Sequence, residues 1–131
     1  MIILIADDDI EDQELLRDAI MGINPDIRVD TVFNGRESIT YLENCKLAGL
    51  PGAVVLDYNM PIMGGSEVLD VICNDQRFDE ISKFIWSTSN TKTHINECLE
   101  RGANEYFVKP DNSQKLFYIA SVLVKAVLER P

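Results

Sequence analysis

Acidic residues stand directly after two short apolar runs of this chain. Three consecutive aspartates, Asp7–Asp9, follow the run at residues 2–6, and Asp57 follows the run at residues 53–56. Apolar runs of this length and branching are typical of buried parallel strands. Because binding sites in open α/β sheets lie at the carboxyl ends of the strands, these carboxylates are expected to meet at one edge. Such a cluster repels itself and favours a hard cation, and its oxygen ligands suit Mg²⁺.

A lysine and a hydroxyl group stand at the ends of two further apolar runs. Lys109 follows the run at residues 105–108, and Ser87 ends the run at residues 82–87. Taken alone, each has an ordinary interpretation, a solvated lysine and a helix-capping or turn hydroxyl. Their shared position at strand ends makes both candidates for the same site, where the ammonium group would compensate part of the acidic charge.

The elements that must position these residues alternate between strand and helix. Periodicity and turn residues predict strands at about residues 2–6, 27–33, 53–57, 82–87 and 104–108. They predict helices at about residues 10–23, 36–47, 65–75, 91–101 and 112–129. Five such units imply an α/β fold, a doubly wound parallel sheet with helices on both faces, in one domain over residues 1–131.

Composition and charge limit the class of protein. The chain has 131 residues, of which 46% are hydrophobic, and this is enough for one domain with one core. Because 22 acidic and 12 basic residues give a net charge of −10, direct binding to nucleic acid or to an anionic membrane is not expected. The first apolar run is too short for a signal peptide, and the three cysteines form no Cys-x-x-Cys pair, so we expect a cytoplasmic protein with reduced cysteines.

The segment after Asp57 is the most specific feature of the sequence. Asp57 is followed by Tyr-Asn-Met-Pro-Ile-Met-Gly-Gly, a Met-Pro turn with paired glycines before the third predicted helix. In combination with the early acid cluster, the Ser-Thr-Ser run and Lys109-Pro110, this order resembles the receiver domain of two-component response regulators over the whole chain. The loop lengths resemble those of short, chemotaxis-like single-domain receivers, while an intermediate of a phosphorelay and the excised receiver of a longer regulator stay open. The resemblance implies a flavodoxin-like (βα)5 fold with strand order 2-1-3-4-5.

The resemblance also implies roles for the acidic residues. Asp57 would accept a phosphoryl group from a histidine kinase or a histidine phosphotransfer protein, with Mg²⁺ as cofactor. Asp8 would be a direct metal ligand, Asp7 would act through water, and Asn59 would contribute its backbone carbonyl. Asp9 would cap the first helix. An acid pair shifted to Asp8 and Asp9 is the alternative, which is less favoured because Asp7 directly follows the strand.

The other matching positions concern the response to phosphorylation. Lys109 would reach a phosphoryl oxygen, and the resemblance implies a cis peptide bond between Lys109 and Pro110. Ser87 would bond the phosphoryl group when the domain switches, and Tyr106 would turn inward as it does so. Ser89 occupies a position that tunes loss of the phosphoryl group in this family.

Three features outside these motifs receive simpler interpretations. Trp86 alternates away from Ser87, so no direct contact with the phosphoryl group is expected. His94, the only histidine, lies at a polar helix start and is expected to be exposed. The last helix has an apolar arc of about 200°, wider than the roughly 100° that one sheet face requires. With the fourth helix and fifth strand it is a candidate surface for a downstream protein or a homodimer, unless it lies deep in a groove.

Two other classes of function stay open at this point. A haloacid-dehalogenase-like phosphatase would use Asp7 as nucleophile and Asp9 as acid and base, but no threonine or glycine follows these acids and no room exists for a cap domain. A pseudo-receiver would only bind partners, which the complete set of acids, hydroxyl and lysine argues against. A receiver would be no enzyme in the usual sense, because it catalyses only its own phosphorylation and dephosphorylation.

Overall fold

Five parallel strands alternate with five α-helices in the computed structural model, which describes residues 1–129. The strands are β1 (Ile2–Ala6), β2 (Arg28–Val32), β3 (Ala53–Leu56), β4 (Ser82–Ser87) and β5 (Glu105–Val108). The helices are α1 (Ile10–Ile23), α2 (Gly35–Glu43), α3 (Gly65–Cys73), α4 (Lys92–Glu100) and α5 (Ser113–Leu128). The predicted alternation is confirmed, and the largest difference at an element end is the earlier end of α2.

The strands form one sheet in the order β2-β1-β3-β4-β5, and each neighbouring pair is parallel. This is the predicted order 2-1-3-4-5. Ala6 of β1 stands opposite Leu56 of β3 in the register, so the residues that follow them, Asp7 and Asp57, leave the sheet side by side. The sheet register therefore brings together two acids that are far apart in the sequence.

Each face of the sheet carries its own apolar core. Side chains of β1, β3 and β4 pack with α1 and α5 on one face, and the fully buried members there include Ile3, Ile5, Leu16, Ile20, Ala120 and Leu123. The other face packs under α2, α3 and α4, with Leu4, Leu56, Leu69, Ile72, Ile85 and Cys98 fully buried. Burial of both faces explains why the strands are continuously apolar. No helix within residues 1–129 is long and apolar enough to cross a bilayer.

α5 buries most but not all of its wide apolar arc. Val124 is buried together with the central residues of the helix face. Phe117 and Leu128, which extend the same arc sideways, remain 61% and 48% exposed. The helix therefore lies against the sheet with one apolar border left facing solvent.

Gly65 allows α3 to begin close to the end of β3. A Cβ atom at this position would lie 2.5 Å from the backbone oxygen of Asp57, closer than any side chain tolerates. The backbone N–H of Gly65 donates to the carbonyl of Tyr58 at 3.0 Å. The glycine thus holds the segment after Asp57 in a tight loop at the edge of the sheet.

Candidate functional site

Three carboxylates meet at the carboxyl ends of β1 and β3. One oxygen from each of Asp7, Asp8 and Asp57 lies within 4.8 Å of the others. Asp7 and Asp57 are buried, whereas Asp8 is exposed and leaves the cluster open to solvent. Carboxylate oxygens grouped in this way are the donors that a hard divalent cation prefers. The residues present therefore fit Mg²⁺.

Lys109 lies within reach of three carboxylates. Its Nζ is 2.8 Å from Asp7 Oδ2, 2.8 Å from Asp12 Oδ2 and 3.3 Å from Asp57 Oδ2. Burial by itself would lower the pKa of Lys109, but hydrogen bonds to Asp12 and Asp7 and the charge of Asp57 raise this pKa above its ordinary value. The ammonium group therefore stays charged at neutral pH and offsets part of the acidic cluster.

The carboxyl group of Asp57 has a raised pKa. Burial raises the pKa of Asp57 to about 6, the positive charge of Lys109 opposes this shift, and repulsion from Asp7 adds to it. The backbone N–H of Asn59 donates weakly to Asp57 Oδ1 at 3.4 Å. Asp57 is consequently ionised at neutral pH while being poorly solvated, a state that suits a nucleophile.

Two side chains that the sequence pattern did not indicate hold Asp7 in place. The indole Nε1 of Trp86 donates to Asp7 Oδ2 at 3.1 Å, and the Trp86 ring lies 5.2 Å from Lys109 Nζ. Gln13 Nε2 donates to the backbone carbonyl of Asp7 at 2.6 Å. Strand alternation correctly separates Trp86 from Ser87, but it carries no information about β1, which lies beyond β3 in the sheet and to whose end the indole reaches.

Ser87 and Tyr106 lie on the opposite side of Asp57 from α1 and meet at the loop that follows β4. Ser87 is 1% exposed, and its Oγ accepts the backbone N–H of Ser89 at 3.2 Å. The half-buried Tyr106 donates its hydroxyl to the carbonyl of Ser89 at 2.8 Å. The structure thus joins both predicted switch residues through one loop residue, Ser89.

The prediction that His94 is exposed is wrong, because the residue is half-buried. Its ring stacks on Tyr58 with centroids 4.2 Å apart, and its Nδ1 lies 2.6 Å from Ser89 Oγ. Tyr58 in turn donates its hydroxyl to Glu97 Oε2 at 3.0 Å. The polar helix start suggested exposure, but the aromatic residue next to Asp57 covers this part of α4. His94 therefore links the loop after β3 to the loop after β4.

Two smaller predictions about the site have opposite outcomes. Asp9 is the N-cap of α1, as predicted, and its side chain accepts the backbone N–H of Asp12. The cis bond implied between Lys109 and Pro110 is wrong, because residues 1–129 contain no cis peptide bond. The trans form is the ordinary state of a bond to proline.

Comparison with known proteins places the chain in a family. The sequence profile of the response regulator receiver domain matches residues 3–121. The two-component response regulator ORR5 of Oryza sativa subsp. japonica is 33% identical over 103 residues, which cover 77% of this chain and 75% of that protein. The two-component response regulator ARR7 of Arabidopsis thaliana is 32% identical over 118 residues, covering 82% of this chain and 55% of that protein.

A solved structure shows the same likeness in three dimensions. The crystal structure of the phosphorylated cyanobacterial phytochrome response regulator RcpA superposes with a TM-score of 0.87 at 28% identity, covering 99% of this chain and 95% of that chain. The superposition agrees with the strand order described above. This chain belongs to the family of response regulator receiver domains of two-component signalling.

Proposed function

We propose that this receiver accepts a phosphoryl group on Asp57 from a histidine kinase or a histidine phosphotransfer protein, with Mg²⁺ as cofactor. The observation that carries the proposal is the meeting of Asp7, Asp8 and Asp57 beside Lys109 at the end of β3. A carboxylate on a rigid strand end, desolvated yet ionised, is a competent acceptor for in-line phosphoryl transfer. The similar protein RcpA was solved in a phosphorylated form.

The residues of the chain divide the chemistry between them. A carboxylate oxygen of Asp57 forms the new bond to phosphorus, while the bond from phosphorus to the donor's imidazole nitrogen breaks and its electron pair stays on that nitrogen. Asp8, Asp7 and Asp57, with the backbone carbonyl of Asn59, would hold Mg²⁺, which when bound neutralises charge on the phosphoryl oxygens. Lys109, now 3.3 Å from Asp57 Oδ2, would contact a phosphoryl oxygen.

Ser87 and Tyr106 would convert the phosphoryl group into a conformational change. The Ser87 oxygen now accepts from the backbone of Ser89, so its proton is free to be donated to a phosphoryl oxygen. Moving a population from 1:99 to 99:1 takes about 5.5 kcal/mol, and one charge-assisted bond supplies about 1.5–3 kcal/mol. About two to four contacts together are therefore needed. Ser87→Ala should leave phosphorylation largely intact while removing the change in partner affinity.

The surface formed by α4, β5 and α5 is the proposed output surface for a downstream protein or a second copy. Leu99, Val108 and Phe117 are 44%, 43% and 61% exposed on these elements. Sedimentation with and without beryllofluoride, a phosphoryl analogue, tests the homodimer. A monomer in both conditions would leave only the downstream protein. A cytoplasmic location stays a prediction from the sequence.

Intact mass after incubation with acetyl phosphate and Mg²⁺ tests the proposed function. We expect one Mg²⁺-dependent phosphoryl adduct in the wild type and none in Asp57→Asn. An adduct that survives in the variant would move the nucleophile to Asp7–Asp9 and favour the phosphatase. No adduct in the wild type, even from a phosphorylated histidine phosphotransfer protein, would favour a pseudo-receiver.

A further inference from the structure

Asp12 makes a contact that the proposed phosphoryl transfer does not use. Its Oδ2 lies 2.8 Å from Lys109 Nζ, as close as Asp7 and closer than Asp57 at 3.3 Å. The first turn of α1 holds Asp12 there, because its backbone N–H donates to Asp9 Oδ1 at 3.1 Å. The ammonium group is therefore drawn toward α1 in this state of the protein.

Three carboxylates surround Lys109 Nζ, and two of them, Asp12 and Asp57, accept hydrogen bonds from it, so a phosphoryl group has to compete with these carboxylates for the lysine. The three side chains differ in how readily water can receive them. Asp7 is 0% exposed, Asp57 is 9% exposed and Asp12 is 28% exposed. Releasing a partly exposed carboxylate to water costs least. Asp12 is consequently the contact that Lys109 can exchange most easily.

Space beside the ion pair supports this exchange. Asp12, Trp86 and Lys109 line a cavity of about 300 Å³ between α1 and the start of α5. Asp12 can therefore turn toward solvent, while the Trp86 ring stays 5.2 Å from Lys109 Nζ and keeps the lysine near the site.

We propose that Asp12 is a positioning residue that competes with the phosphoryl group for Lys109, and so limits how strongly the phosphorylated state is held. The inference rests on the proposed phosphorylation of Asp57. Asp12 acts through Lys109, because its own contact is with the lysine.

Removing the charge of Asp12 should change the binding of a cation and of a phosphoryl analogue in opposite directions. A carboxylate near the site attracts Mg²⁺ but opposes an anionic phosphoryl group. Asp12→Asn should therefore bind Mg²⁺ about threefold to tenfold more weakly, and at saturating Mg²⁺ it should bind beryllofluoride about threefold to tenfold more tightly. Replacing a residue with a merely structural role would weaken the binding of both ligands.

Binding to the full chain tests the proposal without an activity measurement. Mg²⁺ is titrated first and beryllofluoride second. Both titrations are monitored by calorimetry and by the fluorescence of Trp86, the only tryptophan. Asp12→Glu keeps the charge and should restore both affinities. Asp18→Asn makes the same charge change on α1 at a side chain that is 76% exposed, and it should bind both ligands as the wild type does.

The outcomes separate this inference from the proposed function. If the wild type binds both ligands and the affinities of Asp12→Asn for both are unchanged or weaker, only the role of Asp12 is overturned. Wild-type protein that binds Mg²⁺ but takes neither beryllofluoride nor a phosphoryl group overturns the proposed function and the inference with it.

Discussion

Asp57 lies between two regions of different chemistry. The charged flank, on the side of α1, consists of Asp7, Asp12, Trp86 and Lys109. The neutral flank, on the side of α4, consists of Ser87, Ser89, His94 and Tyr106. Contacts of the charged flank are ion pairs around a lysine that is only 10% exposed. Contacts of the neutral flank are hydrogen bonds without any carboxylate or ammonium group, made by residues of β4, β5, α4 and the loop after β4.

The difference indicates which flank can move. Removing one partner of a buried ion pair costs about 3–5 kcal/mol, because the other charge is left unpaired. Exchanging a neutral hydrogen bond changes the free energy by only about 0.5–1.5 kcal/mol. The charged flank is therefore suited to keeping the reacting groups in place, and the neutral flank to changing its contacts when a phosphoryl group arrives. Asp12, the partly exposed member of the charged flank, is the exception, because water can receive its carboxylate.

Removing the cation of the charged flank should have the largest effect. Lys109→Met leaves three carboxylates without compensation, so its free energy of unfolding in EDTA should fall by about 3 kcal/mol. Because the variant also loses a charge that repels a cation, it should bind Mg²⁺ more tightly than the wild type. Urea denaturation and calorimetry measure the two effects. The matched control is Lys46→Met at an exposed loop residue, and equal stability of the two variants would contradict the prediction.

The pH dependence of the unfolding free energy, compared between the wild type and Asp57→Asn, reports on the ionisation of Asp57. Its pKa is raised by burial to about 6 from an ordinary value of 3.8, so in the native state it keeps its proton to a higher pH than in the unfolded state. The contribution of Asp57 to the unfolding free energy should therefore fall as pH rises from about 4 to about 6, by about 1–3 kcal/mol, and then stay level. Asp57→Asn should lack this fall in EDTA. A difference between the two proteins that does not vary with pH would show that the native carboxyl titrates normally.

A double-mutant cycle tests the bond between Trp86 and Asp7. Trp86→Phe keeps an aromatic ring near Lys109 but removes the indole donor at 3.1 Å from Asp7 Oδ2. The coupling with Asp7→Ala in urea denaturation should be about 1.5 kcal/mol, the value of a hydrogen bond to a charged group. Additive effects would mean that Trp86 contributes through packing alone.

The smallest effect is expected on the neutral flank. His94→Phe keeps the stacking on Tyr58 and removes the bond to Ser89, so the unfolding free energy should fall by only about 0.5–1 kcal/mol. Amide hydrogen exchange at Ser89 should become faster, because the loop has lost its link to α4. A loss above about 2 kcal/mol would place His94 among the rigid contacts and would remove the contrast between the flanks.

Most of the fold and the central acids could be predicted from local patterns. The apolar runs indicated the strands, their alternation with helices indicated the parallel sheet, and acids at strand ends indicated a cation site. Asp9 was correctly assigned to the cap of α1. The contacts of Asp12, Trp86 and His94 could not be predicted in this way. Their partners, which are Lys109, Asp7 and Tyr58 respectively, lie more than thirty residues away in the sequence.

The family, the order of elements and the residues that leave the strand ends beside Asp57 follow from the amino-acid sequence, since period and position set which side chains leave the sheet at that edge. How the charge is shared among them depends on the packing of the elements. The packing of α1 against α5 set Asp12 as near to Lys109 as Asp7, and the reach of an indole across the sheet bound Trp86 to Asp7. Such distances follow from how elements pack against one another, and no local periodicity encodes them.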